Sequence, residues 1–281
     1  AKLIHIDIDP ASISKTIAAH IPIVGPADAI LAQMLPLIEK GLDQVDQKAL
    51  ASWWKSINEW RQKHGIYTKN RFDDQSEMIK PQEVVQAVYK VTKGDAIVTT
   101  DVGQHQMFAA QYYLFDKPRK WITSGGLGTM GYGIPAAMGA QVAFMNETVV
   151  CITGEGSVQM CIQELSTLKQ YGLPIKIINI NNHALGMVKQ WQDMNYEGRY
   201  SEILYEDSLP DFVKLAEAYG HVGIKVTKRE ELMSKLEECF AMKDRVVFMD
   251  IHVDRDEHVY PMQIPLESVG DMLLSKTERT V

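Results

Sequence analysis

The sequence predicts an α/β protein with a doubly wound parallel sheet, preceded by the end of a second α/β domain. Three observations carry the prediction. Between residues 81 and 253, short β-branched runs alternate with stretches of helical apolar spacing, the pattern of β-α-β units with parallel strands. Glycine, acid and asparagine turns follow several of these strands, on the edge where open α/β sheets bind ligands. The first 42 residues show the same alternation but are too few to bury a core of their own.

The elements follow in order. Leu3–Ile8 reads as a strand, Asp9-Pro10 as a turn and Ser12–Ala19 as a helix; Ile21–Val24 is a second strand and Ala27 to Ile38 a second helix. Residues 43–64 carry Trp53, Trp54, Ile57 and Trp60 at helical spacing, which predicts a packing helix covering an interface. Residues 65–80 are polar and aperiodic, hence a linker. Pro81 suits the first position of a helix over Gln82–Thr92. Then come a strand at Ala96–Thr100, a helix at Gln104–Leu114, a short strand at Trp121–Thr123, a glycine-rich loop and a helix near Pro135–Phe144. Thr148–Ile152 is a buried strand, Val158–Tyr171 a helix stopped by Gly172 and Pro174, and Ile175–Ile180 a second buried strand. A helix at 211–219, a strand at Val222–Val226, a helix at 229–242 and a strand at Val246–Val253 complete the domain. The tail, 254–281, reads as a closing segment or a frayed end.

Composition narrows the function. The 281 residues are 46% hydrophobic with a formal charge of −7. That acidic balance argues against a broad nucleic-acid or anionic-membrane surface. No apolar run reaches the roughly 18 residues of a membrane span. The chain opens Ala1-Lys2-Leu3-Ile4 without an initiator Met or a signal peptide, which predicts a segment of a longer polypeptide. Cys151, Cys161 and Cys239 lack zinc-like spacing; they read as small buried hydrophobes in a reducing cytoplasm.

Gly154-Glu155-Gly156 and Asn181-Asn182 each stand at the end of a buried strand of one β-α-β unit. The right-handed crossover makes those strands parallel, so both turns share one sheet edge. An acid and an asparagine there suit Mg²⁺, which takes one or two carboxylates plus phosphate oxygens at roughly 2.0–2.1 Å. A helix starting near Ser157 points its N-terminus at the same place, which favours a phosphate. The bland alternative is a glycine turn with a surface acid. Val102-Gly103-Gln104-His105 follows another strand on this edge, and its backbone N–H groups with Gln104 and His105 suit a diphosphate. Gly126-Leu127-Gly128-Thr129-Met130-Gly131 matches G-x-G-x-x-G, so a nicotinamide-dependent dehydrogenase competes, as does a plain packing loop. The dehydrogenase lacks its acid at the end of the next strand, because Glu147 precedes that strand. Met187 and Trp191 share one helical face, which is core or the wall of a substrate pocket.

With these residues in hand, the chain resembles the catalytic large subunit of the acetohydroxyacid synthase (acetolactate synthase) family, thiamine diphosphate enzymes of branched-chain amino-acid biosynthesis. The runs that carry the likeness are Val102–Gln111, Ile122–Gln141, Gly154–Asn182 and Gly186–Asp193, the last (GMVKQWQD) the most specific. The resemblance implies a thiamine diphosphate-binding fold over 81–253 and the end of a flavin-type middle domain over 1–42. It implies decarboxylating condensation of pyruvate with a second 2-keto acid. Glu155, Asn182 and the Ala184 carbonyl would hold Mg²⁺. Val102, Gly103, Gln104, His105, Gly156 and Ser157 would surround the diphosphate. Gly128 would bond the aminopyrimidine, Met130 would prop the cofactor into a bent form, and Met187 would touch it. Met187 and Trp191 would border the acceptor. Asp7, Ile8 and Ser12 would neighbour a non-redox FAD. The activating glutamate belongs to an N-terminal domain outside these residues, supplied across a dimer interface, so the chain alone would be inactive. A homodimer or larger oligomer in the cytoplasm, with a small regulatory subunit, completes the implied assembly. A fragment that keeps the fold without catalysis is the alternative.

Two positions depart from the family pattern. Glu155 stands where the family has Asp, and one extra methylene moves the carboxylate by about 1.5 Å, which predicts weaker Mg²⁺ binding. Gly25-Pro26 stands where the family has Gly-Asp, whose Asp contacts the flavin.

Overall fold

The computed structural model describes residues 2–64, 76–263, 268 and 270–279. They form two compact units, Ala1–Lys63 and His64–Val281. Of the linker expected over 65–80, residues 65–75 lie outside the described residues, as do 264–267, 269, 280 and 281 of the tail.

In the first unit, β1 (Ile4–Asp7) pairs in parallel with β2 (Ile21–Val24), followed by α1 (Ala27–Lys40) and α2 (Gln47–His64). The helix expected over Ser12–Ala19 is absent; those residues form turns. Local hydrogen bonds compete with the helix there. The Ser14 N–H donates to His5 Nδ1 at 3.3 Å, the Ser14 hydroxyl accepts from the Ala19 N–H at 3.0 Å, and Ser14 adopts a left-handed φ of 61°. On α2, Trp53 and Trp60 meet edge to face at 5.3 Å, and Arg61 lies over the Trp54 ring.

The second unit is a six-stranded, all-parallel sheet in the order β4-β3-β5-β6-β8-β7. Its strands are β3 (Ile97–Thr100), β4 (Trp121–Thr123), β5 (Val149–Gly154), β6 (Lys176–Asn181), β7 (Val222–Val226) and β8 (Val247–His252). Both faces are covered, which is why the central strands read as continuous apolar runs. Within β5, Val150 and Ile152 join one apolar cluster with Val84, Val88, Phe108 and Leu236. Val149 and Cys151 join the opposite one with Ile134, Leu165, Leu168 and Phe212. The first cluster belongs to α3 (Pro81–Thr92), α4 (Gln104–Tyr112) and α10 (Leu232–Ala241). The second belongs to α5 (Gly133–Ala143), α7 (Glu164–Tyr171) and α9 (Phe212–Ala218). Between them in the chain lie α6 (Glu155–Val158) and α8 (Gly186–Asn195). The chain runs outward from β3 to β4 and returns to β5 on the other side of β3. The strand order therefore switches between β3 and β5, and a crevice opens at their C-terminal ends.

Two departures from expectation bear on that crevice. The single helix expected over Val158–Tyr171 is broken: α6 begins at Glu155 itself, a 3-10 turn covers Gln159–Cys161, and α7 starts at Glu164. The break falls where the glycine loop crosses, for a Cβ on Gly131 (φ 84°) would stand 2.7 Å from the Met160 Cβ. The tail is a closing segment rather than a frayed end over 254–263. Lys80 bonds Asp254 at 2.6 Å and Glu257 at 3.2 Å, the Asp254 N–H donates to Ile79, and His258 and Val259 are buried. Among the described residues, no helix is long and apolar enough to cross a membrane.

Candidate cofactor and metal site

The crevice holds a cavity of about 400 Å³. From the end of β3 come Val102 and Gly103, then Gln104 and His105 in the first turn of α4, where helix N–H groups lack intrahelical acceptors. Gly154, Glu155, Gly156 and Ser157 enter from β5 and α6, and the Ser157 hydroxyl donates to the Val102 carbonyl at 3.2 Å, tying the two turns together. Gly128 and Met130 reach in from the loop over 124–132. Asn182, Ala184 and Met187 line the third side. Trp191, one turn beyond Met187, packs against the first apolar cluster and is absent from the cavity wall. Asp7, Ile8 and Ser12 belong to the first unit: Ser12 donates to Asp9, and the Ile8 side chain is exposed. Pro26 caps α1 there.

Glu155 and Asn182 converge on one hydrogen. The Ala184 N–H donates to Glu155 Oε1 at 2.7 Å and to Asn182 Oδ1 at 3.1 Å. Parallel pairing of β5 with β6 brings the two strand ends side by side, as the crossover argument expects. Glu155 is only 2% exposed. Burial pushes its carboxyl up to about 8, against the pull of backbone N–H groups, with the Asp250 charge adding to the rise. Among the described residues no ion pair reaches it. A buried carboxylate without a cation is costly, and a bound metal ion would relieve that cost. Among the described residues no group of three His, Cys, Asp or Glu side chains stands ready for a metal. One carboxylate with amide and carbonyl oxygens suits a hard cation that keeps other ligands from phosphate or water, as Mg²⁺ does.

His105 adds a second sign of a ligand. Burial pushes its imidazole down to about 4, opposed by the nearby Asp101 charge, so the ring is neutral near pH 7. Its Nε2 is buried without a hydrogen-bond partner among the described residues. A neutral ring with an orphaned nitrogen, on a residue that lines the crevice, suits a phosphate oxygen as acceptor.

Several supporting residues escaped the sequence reading. Asp101, 1% exposed, accepts from the Gly133 N–H at 2.6 Å and from the Thr153 hydroxyl, joining the start of α5 to β3 and β5. Asp250 on β8 accepts from the Asn179 and Asn181 side-chain amides at 2.9 Å each, and from His252 at 3.1 Å. That fixes Asn181 so that its Oδ1 takes the His183 N–H, a local turn that holds His183 at φ 56° between Asn182 and Ala184. The 203–205 segment pairs with 183–185: Leu185 donates to Ile203 and Tyr205 to His183. An acid in mid-strand on β8 was the one visible signal, since a buried acid needs partners.

Crevice, buried carboxylate, asparagine and orphaned imidazole together suit a diphosphate and a hard cation at the end of an α/β sheet. A family model for the C-terminal TPP binding domain of thiamine pyrophosphate enzymes matches residues 101–251. The chain belongs to that family, which removes the nicotinamide reading of the glycine loop. Among individual proteins it is 58% identical, over 279 residues, to the acetolactate synthase large subunit of Haemophilus influenzae, covering 99% of this chain and 48% of that protein. It is 57% identical over 282 residues to the acetolactate synthase isozyme 3 large subunit of Escherichia coli, with 100% and 48% covered. It is 42% identical over 280 residues to the large subunit of Porphyra purpurea, with 99% and 46% covered. The chain thus spans about half the length of these relatives.

Proposed function

We propose that this chain supplies the diphosphate and Mg²⁺ half of an acetolactate synthase site, serving decarboxylating condensation of pyruvate with a second 2-keto acid in branched-chain amino-acid biosynthesis. The convergence of Glu155 and Asn182 on the Ala184 N–H carries the reading. Likeness to large subunits over nearly the whole chain selects the reaction within the family.

When bound, thiamine diphosphate supplies the carbanion chemistry of decarboxylation and carbon–carbon bond formation. The residues here bind and orient it. Glu155, Asn182 and the Ala184 carbonyl hold Mg²⁺. The first turn of α4 with His105, together with Val102, Gly103, Gly156 and Ser157, takes the diphosphate. Gly128 would bond the aminopyrimidine and Met130 would support the cofactor from the glycine loop. Met187 would border both cofactor and acceptor, with Trp191, packed on the core one turn further along α8, beyond it. Residues 1–42 would end a flavin-type domain, with Asp7, Ile8 and Ser12 beside FAD. The assembly would be a cytoplasmic homodimer or larger, with a regulatory subunit.

The test is calorimetry with thiamine diphosphate and Mg²⁺, followed by an acetolactate assay. Mg²⁺-dependent binding without turnover is expected of the 281-residue chain, because the family's activating glutamate lies outside it. Absence of binding would overturn the site, and robust turnover would overturn the missing-glutamate argument. Glu155→Asp is expected to tighten Mg²⁺-dependent binding several-fold by drawing the carboxylate back toward the octahedral position. Unchanged affinity would show that the loop already absorbs the extra methylene.

A further inference from the structure

Binding a cation through Asn182 requires its oxygen, not its nitrogen, to face the metal position, and an amide side chain offers both. The choice is made by the groups that the amide bonds. Asn182 Nδ2 donates to Gln104 Oε1 at 3.2 Å. Gln104 has its own choice, settled because its Nε2 donates to Gln190 Oε1 at 2.9 Å and to the Glu257 carbonyl at 3.4 Å. Gln190 is wholly buried on α8, and the tail reads it from both sides: its Oε1 accepts from the Val259 N–H at 2.9 Å and its Nε2 donates to the Val259 carbonyl at 3.1 Å. A backbone N–H and C=O cannot exchange roles, so the row is pinned at both ends: Val259 fixes Gln190 and the Ala184 N–H, donating to Oδ1 at 3.1 Å, fixes Asn182.

We infer that Gln190 is a positioning residue: its bidentate grip on the Val259 backbone holds Gln104, and through Gln104 the Nδ2 end of Asn182, so that the Asn182 oxygen stays where a metal would meet it. The inference rests on the Mg²⁺ site proposed above. It gives the buried tail segment a role in the site without contact with the ligand. Reversing one amide would set like against like along the row, donor to donor or acceptor to acceptor, and buried mismatches of that kind are costly. Lys80 and Lys189 hold the same segment, at Asp254, Glu257 and Asp256, so Val259 is anchored independently of Gln190.

Gln190→Leu keeps the volume and removes both ends of the relay. Titration of the 281-residue chain with thiamine diphosphate at several Mg²⁺ concentrations is the first measurement. The variant is expected to bind at least ten-fold more weakly and to need more Mg²⁺ for half-saturation. Leu236→Ala, in the core under α10 and outside the cavity, serves as the comparison: it lowers melting temperature without touching the relay, and its affinity is expected to match the wild type. Equal affinity of Gln190→Leu and wild type would overturn the inference, as would equal weakening in both variants. Crystal structures of wild type and Gln190→Leu are the second measurement, with the Gln104 and Asn182 side chains expected to shift and their mutual hydrogen bond to lengthen in the variant. Unchanged amides overturn the relay. Should the wild type bind no cofactor, the site reading fails, and the crystal structures still decide the relay.

Discussion

Glu155→Gln is expected to abolish Mg²⁺-dependent binding of thiamine diphosphate while making the cofactor-free chain more resistant to heat above neutral pH. Both effects have one origin. The carboxyl is buried, and burial raises it from an ordinary 4.5 to about 8. A raised carboxyl means that the folded state keeps its proton longer than the unfolded chain. The stability contributed by the protonated form is therefore complete below pH 4.5 and is lost as pH rises through about 8, at roughly 1.4 kcal/mol per pH unit in between. Glutamine matches the protonated form in shape and still accepts the Ala184 N–H, but never ionises. Thermal unfolding without Mg²⁺ or cofactor should show little difference at pH 5, a growing advantage of the variant up to about pH 8 and a level advantage from there to pH 9. Added Mg²⁺ and thiamine diphosphate should then stabilise only the wild type, since a ligand raises stability only where it binds the folded state. Melting temperatures that move in parallel from pH 5 to pH 9 would show that the Glu155 carboxyl is not strained by burial.

The parts of this site that were legible in the sequence are those governed by local chemistry and sheet topology. Gly154-Glu155-Gly156 and Asn181-Asn182 end buried strands, and the handedness of one crossover suffices to bring them together. Helical period put Met187 on one face and left core or pocket wall open; Met187 lines the cavity. Trp191 shows the limit of that reasoning: a shared helical face with Met187 does not say where the cavity wall ends, and its ring packs against the core. Ser12–Ala19 failed as a helix because Ser14, at a left-handed φ, gives its N–H to His5 and accepts the Ala19 N–H on its hydroxyl, a contest that spacing does not reveal. Gln190, Asp250 and Asp101 act through partners far away in sequence. Val259 lies 69 residues from Gln190, and no periodicity records that pairing. The tail was ambiguous for the same reason. Its charges looked like solvated ends until Lys80 and Lys189 supplied buried partners.

Gly186→Ala is the other substitution expected to have a large effect, and it runs against helix propensity. Gly186 opens α8, where alanine is ordinarily preferred to glycine by up to about 1 kcal/mol. Its backbone needs no left-handed φ, so the requirement is space alone. A Cβ there would lie 2.2 Å from Gln104 Oε1 and 2.5 Å from Asn182 Nδ2. These are the two atoms whose hydrogen bond orients Asn182. The side chains must part, and Asn182 Oδ1 must swing away from Glu155 or the α8 start must shift. Either outcome spreads the oxygens that grip the metal, and Mg²⁺ demands near-octahedral placement. A loss of at least ten-fold in Mg²⁺-dependent affinity for thiamine diphosphate is expected, with helical circular dichroism unchanged. Gly139→Ala in α5 is the matched control, because a Cβ there meets nothing within 4 Å. That variant should bind as the wild type does and melt slightly higher. If Gly186→Ala also binds like the wild type, the close approach of Gln104 and Asn182 is dispensable, and the metal is held without help from the amide row.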